Sequence, residues 1–260
     1  MKYFDAHTHL NLPEFDSDWS EVALRAESVG VSFLNIGTDL INSAKAILIA
    51  KAYPNLAWAC VGLHPQTKAI ENEQDQLADL AKNKEVVAIG ECGFDRLAEA
   101  SEAEVLRQRE LLTWQLDLAL KLNKPVMIHC REAYSELLTV LIDRKKTASL
   151  PLINMHFFAG DWTIAQQFLE LGCYLSFTGV LTFTHDYDEV VKNMPLDRLL
   201  AETDAPYVTP VPYRGKRNEP AYVVEVVKAM ARIRGEDETK IAEHLYTNAI
   251  RFFGLNKLNF

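Results

Sequence analysis

Three things this sequence lacks narrow its function before any motif is read. Its four cysteines, Cys60, Cys92, Cys130 and Cys173, stand singly with no Cys-x-x-Cys pair, so neither a disulfide scaffold nor a thiolate zinc site is indicated. Isolated cysteines in or beside strands behave as small hydrophobes, and a reducing cytoplasm is the expected compartment. No apolar run approaches the roughly 18–20 residues that span a bilayer. The opening Met1-Lys2-Tyr3-Phe4-Asp5 leads into a polar motif rather than a signal-peptide core, so we expect an unprocessed, soluble chain with no membrane partner. Positive charge is also in short supply: 27 Lys and Arg against 36 Asp and Glu give a net charge of -9. That argues against coating nucleic acid through a basic face. It leaves room for an enzyme that grips a strand through metals and a few local cations.

What the chain does have is length and a repeated pattern. At 260 residues and 48% hydrophobic content it can bury one large core, and about 250 residues is typical of a single α/β barrel. We therefore expect one domain over residues 1–260. Apolar runs of strand length recur at 3–9, 32–36, 57–63, 86–91, 125–129, 152–156, 173–177 and 198–203. Their continuous rather than alternating apolar character suits parallel strands covered on both faces. Between them lie helical patterns, such as Val105, Leu112, Leu116 and Leu120 behind a Ser101 and Glu104 capping signature. Gly30 and Gly172 stop helices just before the next strand. The fold predicted is a single (β/α)8 TIM-type barrel. Its rival, a doubly wound sheet, lacks the Gly-x-Gly-x-x-Gly turn after the first strand. No repeat or low-complexity segment interrupts the pattern, and 206–220 is the most loop-like stretch.

Six residues of metal-ligand type stand at or just past the ends of these runs: His7, His9, Glu91, His129, His156 and Asp204. In a barrel of this kind such positions converge at the carboxyl rim of the strands. His7 and His9 are two apart, so both can face one side and form a nitrogen clip. Asp5 shares that parity and could orient a histidine from behind, or sit in a polar layer of the core. Glu91 emerges from an apolar run beside glycines, and an isolated buried carboxylate costs several kcal/mol unless a cation or partner compensates it. His129 and His156 close equivalent runs, with Asn154 below His156 on the same face, while Cys130 is turned toward the helices. Glu202 and Asp204 form a carboxylate pair, of which one could bind metal and take a proton from water.

Four imidazoles with two or three carboxylates and no thiolate form a nitrogen and oxygen set suited to divalent ions such as Mg²⁺, Mn²⁺ or Zn²⁺. Six ligands exceed the needs of one catalytic ion. Two ions bridged by Glu91 and a hydroxide would supply a nucleophile at neutral pH. At the rim, His64 could touch substrate and Arg131 follows the fifth strand. Tyr213, Arg214, Lys216 and Arg217 bring a local cationic excess that could clamp phosphates, with Tyr213 stacking on a base. His185 and His244 fall in predicted helices and receive no role.

Taken in order, Phe4-Asp5-Ala6-His7-Thr8-His9, Gly62-Leu63-His64-Pro65, Gly90-Glu91-Cys92-Gly93-Phe94-Asp95, Ile128-His129-Cys130-Arg131-Glu132-Ala133, His156-Phe157-Phe158-Ala159-Gly160, Glu202-Thr203-Asp204-Ala205-Pro206-Tyr207 and the run from Pro212 to Pro220 resemble the TatD family of metal-dependent deoxyribonucleases. The resemblance covers essentially the whole chain. It implies that His7, His9, Glu91, His129, His156 and Asp204 hold metal, that Asp204 accepts a proton, and that the substrate is a DNA phosphodiester, often cut from the 3′ end. Departures are mild: Phe94 stands where Leu is usual, and His-Phe-Phe-Ala-Gly replaces the common His-Cys-Phe-Ser-Gly. The alternatives are a metal-dependent hydrolase of an ester, lactone or amide, aminoacyl-tRNA esters included, and a non-catalytic metal-binding protein. No stable protein partner is inferred.

Overall fold

The computed structural model of the chain describes residues 1–68, 72–96 and 101–255. Its strands are β1 (Tyr3–Thr8), β2 (Val31–Ile36), β3 (Ala57–Val61), β4 (Val86–Asp95), β5 (Val126–Arg131), β6 (Ile153–Met155), β7 (Tyr174–Phe177) and β8 (Leu199–Ala201). They form one parallel sheet in sequential order. Between and after them run α1 (Trp19–Ser28), α2 (Leu40–Ala52), α3 (Glu73–Leu80), α4 (Glu102–Leu122), α5 (Tyr134–Thr147), α6 (Trp162–Glu170), α7 (Asp188–Asn193), α8 (Val223–Arg234) and α9 (Glu238–Phe252). Where β1 meets the far edge, pairing is made by the segment just past β8. The Asp204 N–H donates to the His7 carbonyl at 2.9 Å and the His9 N–H to the Ala205 carbonyl at 2.8 Å. The two candidate ligand segments thus also join the barrel's ends.

Strand alternation divides the apolar residues into two layers. One cluster combines Phe33, Ala59, Val61 and Ile128 with helix residues such as Val22, Ile47, Leu116, Leu137 and Phe168. The other takes the alternate positions Leu34, Ile36, Trp58, Cys60, Met127 and Leu200, joined by Phe252 and Phe253. The second is the barrel interior, closed from below by the end of α9. Helix starts are fixed by side chains: Asp39, Ser101, Asp161 and Asp237 each accept from a backbone N–H three residues on. Each such cap contributes about 1 kcal/mol.

Several strand boundaries differ from those the sequence predicts, and those of β4, β6 and β8 matter most for the site. β4 does not end at Glu91 but continues to Asp95, with a register shift against β5 between Ile89 and Cys92. Glycines permit this. Gly90 and Gly93 have φ of 127° and 141°, and a Cβ on either would collide with the Met127 or His129 carbonyl oxygen. An irregularity of that kind re-aims a side chain without ending the strand. β6 and β8 stop early, at Met155 and Ala201, leaving His156, Glu202 and Asp204 on the turns that follow. His185 lies before α7 rather than in a helix, and its exposed ring meets Asp188 at 2.9 Å; His244 is within α9.

Candidate metal centre

The strand ends and the turns just past them bring the six acid and imidazole residues into one buried cluster. On one side, the His7 and His9 Nε2 atoms are 3.0 Å apart, and Asp204 Oδ1 lies 3.7 Å and 3.4 Å from them. On the other, His129 Nδ1 and His156 Nε2 are 3.4 Å apart and stand 2.8 Å and 2.9 Å from Glu91 Oε1. Glu91 links the two sides. Its Oε2 is 3.6 Å from His7 Nε2 and 3.8 Å from His9 Nε2. His64 approaches the Oε1 side, its Nε2 3.7 Å away.

The outward nitrogens define what the inward ones present. His9 Nδ1 donates to the Ile36 carbonyl at 3.1 Å, His129 Nε2 to Asp95 Oδ2 at 2.9 Å, and His156 Nδ1 to Glu202 Oε1 at 3.2 Å. In the neutral rings the opposite nitrogens therefore aim lone pairs at carboxylate oxygens. Acceptors facing acceptors at such distances repel one another unless a proton or a cation lies between. For bonds of about 2.1 Å, neighbouring ligand atoms around a tetrahedral or octahedral ion sit roughly 3.0–3.4 Å apart, close to the spacings seen. Two groups of the cluster, His7 with His9 and Asp204 and His64 with Glu91 and His129, could each hold an ion. A third grouping of His7, His156 and Glu202 is better read as support. The Glu202 oxygens are taken up by His156, by the Phe157 N–H at 2.7 Å and by the Ser176 hydroxyl at 2.5 Å.

Titration behaviour points the same way. Burial favours neutral forms throughout, yet His156, His64 and the hydrogen bonds of His129 and His156 hold the Glu91 carboxyl well below the usual range. Burial likewise opposes ionised Asp204, but His9, His156 and His7 outweigh it and depress its pKa. Burial resists charging of His156, His129 and His9, and neighbouring carboxylates overcome it and raise all three, His156 furthest. Burial, abetted by His156, lowers His7, and burial brings His64 to about 4. The centre thus combines ionised carboxylates with a demand for positive charge.

The supporting residues expected from sequence behave unevenly. Glu202 orients His156. Asn154 acts through an intermediary, donating at 2.7 Å to the Ser176 hydroxyl, which in turn donates to Glu202. Asp5 touches no histidine ring: its oxygens accept from the Thr203 N–H at 2.8 Å and the Thr203 hydroxyl at 2.5 Å. It braces the turn that carries Asp204 instead. Asp95, which sequence reasoning missed, has the role expected of Asp5, and Gln108 holds its backbone by paired bonds of 3.0 Å and 3.2 Å. Its spacing of four from Glu91 was the available signal. Asp95→Ala frees the His129 ring, and a roughly 10- to 100-fold loss of cation affinity is expected, readable by titrating metal into stripped protein.

Above the cluster opens a cavity of about 760 Å³, lined by the centre together with Thr38, Gln66, Arg131, Phe157 and Tyr207 among others. His64 and Arg131 are on its wall. Tyr213, Arg214, Lys216 and Arg217 are not. Arg217 reaches back to Asp18, with bonds of 2.9 Å and 2.6 Å. Arg214 donates to the Thr209 carbonyl at 2.9 Å and covers the Phe183 ring. Tyr213 stacks on Tyr222 at 3.9 Å and shares a hollow with Met1, Tyr3 and Val29. Lys216 uses its carbonyl to accept from Thr209. Arg217 is thus ion-paired and Arg214 engaged away from the cavity, Lys216 stays exposed, and Arg131 is the one Lys or Arg among the described residues that line the cavity.

Relatives carry the same combination of fold and sequence. The chain is 37% identical over 259 residues to the uncharacterized metal-dependent hydrolase YabD of Bacillus subtilis, covering 97% of this chain and 99% of that protein. It is 34% identical over 262 residues to the 3′-5′ ssDNA/RNA exonuclease TatD of Pectobacterium atrosepticum, with 97% and 99% covered. The crystal structure of YJJV, a TatD homolog from Escherichia coli, superposes with a TM-score of 0.88 at 29% identity, covering 97% of this chain and 98% of that one. The family model described as TatD related DNase matches residues 4–254, and the chain therefore belongs to the TatD family.

Proposed function

We propose that residues 1–260 form one metal-dependent phosphodiesterase domain that removes nucleotides from the 3′ end of DNA in the cytoplasm, where its free cysteines stay reduced. The observation that carries this reading is Glu91, whose two oxygens face two separate nests of imidazole nitrogen beneath an open cavity. His7, His9 and Asp204 would hold one divalent ion, His129 and His156 the other, and Glu91 both. Mg²⁺, Mn²⁺ or Zn²⁺ bound there supplies Lewis acidity and lowers the pKa of water toward neutrality.

The chain's own groups do the rest. Asp204, ionised and at the cavity wall, takes a proton as water adds to phosphorus and the sugar oxygen departs. Arg131, whose side chain is 46% exposed, offers donors to a phosphate oxygen. His64, kept neutral at pH 7 by burial, supplies an uncharged hydrogen-bond partner. With one Lys or Arg on the wall among the described residues, phosphate binding depends on bound metal more than on a basic surface.

The test is to incubate 5′-labelled single-stranded DNA with metal-stripped protein re-supplied separately with Mg²⁺, Mn²⁺ or Zn²⁺. Stepwise shortening from the 3′ end is expected with at least one ion and none without. Hydrolysis of an aminoacyl ester or lactone with no shortening under any ion would replace the phosphodiesterase reading. Unfolding on chelation, with no activity restored, would leave a structural role for the ions.

A further inference from the structure

Adjacent aromatic residues past β6 take opposite courses. Phe158 is 1% exposed and packs in the helix-side core. Phe157 belongs to neither apolar cluster and stands half-buried on the cavity wall. Its backbone has φ of 44°, a region bulky side chains avoid, and the 2.7 Å bond from its N–H to Glu202 holds it there. Its ring meets His156 edge-on, with centroids 6.3 Å apart at 73°, so one edge is fixed beside the centre. Tyr207, 51% exposed, contributes a second ring to the same cavity, and Leu12 adds an aliphatic patch. The Phe157 ring, set on the cavity wall beside an acid and imidazole floor, suits a ligand in which a planar ring system stands a few bonds from an anion.

We propose that Phe157 is a specificity-determining residue whose ring stacks on the base of the terminal nucleotide while the adjoining phosphodiester lies over Glu91 and Asp204. This rests on the phosphodiesterase reading and adds to it the portion of the substrate that is recognised. Stacking of a base on an aromatic side chain changes affinity by roughly 5- to 150-fold and favours no particular hydrogen-bonding edge, so selection is by the presence of a base and by its area.

The measurement is the ratio of kcat/KM for two single strands that differ in carrying a normal purine or an abasic residue at the 3′ end. Wild-type protein is expected to favour the purine end by roughly 5- to 150-fold. Phe157→Asn, which tolerates the left-handed backbone, should bring that ratio close to one, and Phe157→Trp should keep it. A wild-type ratio near one, or a ratio unchanged in Phe157→Asn, overturns the proposal while the phosphodiesterase reading stands. Failure of the wild type to cut either strand ends both.

Discussion

Glu91→Gln is expected to lower DNA turnover by roughly 10³-fold or more, the loss of several kcal/mol of charge stabilisation, and to remove cation binding without unfolding the protein. The carboxylate is shared between both halves of the centre, so its loss weakens each at once. Stability should survive for a local reason. In the metal-free protein Glu91 is a buried anion whose compensation comes from imidazoles that take up protons. A glutamine amide can donate to the His129 or His156 lone pair as a neutral group, and exchanging a buried ionic arrangement for a neutral one of similar shape is commonly tolerated. In the wild type, an ion at 100 times its Kd adds about 2.7 kcal/mol, a rise of roughly 5–10 °C in Tm for a chain of this size. Thermal melts with and without Mn²⁺ should show that rise in the wild type and none in Glu91→Gln. An undiminished rise in the variant would mean that the ions sit elsewhere.

How far such a centre could be read from sequence depended on whether its determinants were local. His7 with His9 and the runs leading to His129 and His156 were legible because a strand fixes parity over a few residues, and a polar residue closing an apolar run is seldom placed there by packing alone. Glu91 was legible as a residue and misread as an ending: the shift that aims it depends on Gly90 and Gly93 lying against β5, thirty to forty positions on. Asp95 fills the role expected of Asp5 for the same reason. Parity says which side an acid faces, and the neighbouring strand decides whether it meets Thr203 or a histidine. The basic run near Arg217 lies off the cavity wall, a placement that local sequence could not foretell. Its charge was real, but Asp18, 199 positions earlier, captures Arg217, and Glu219 beside it pairs with Arg25 at 2.7 Å. Pairing over such separations leaves no trace in local charge density.

Asp204→Asn should divide the two functions assigned to that residue. Its φ of 55° is tolerated by Asn, and the amide keeps one oxygen facing His7 and His9, so the variant should fold and bind ion less tightly on that side alone. What it cannot do is accept a proton, and a fall of roughly 10²- to 10⁴-fold in kcat is expected. The pH profile identifies which group is responsible for what. The Asp204 carboxyl is depressed, so it stays ionised as pH drops through the histidine range. His156, His129 and His9 are raised, so they gain protons on the way down and release the ion in exchange. The acid limb of wild-type activity should therefore belong to the imidazoles and move to lower pH as metal concentration is increased. In Asp204→Asn the limb should persist beneath a much lower plateau. A limb that ignores metal concentration and disappears in the variant would instead make Asp204 the titrating group, and its ionised state near neutrality would have to be abandoned.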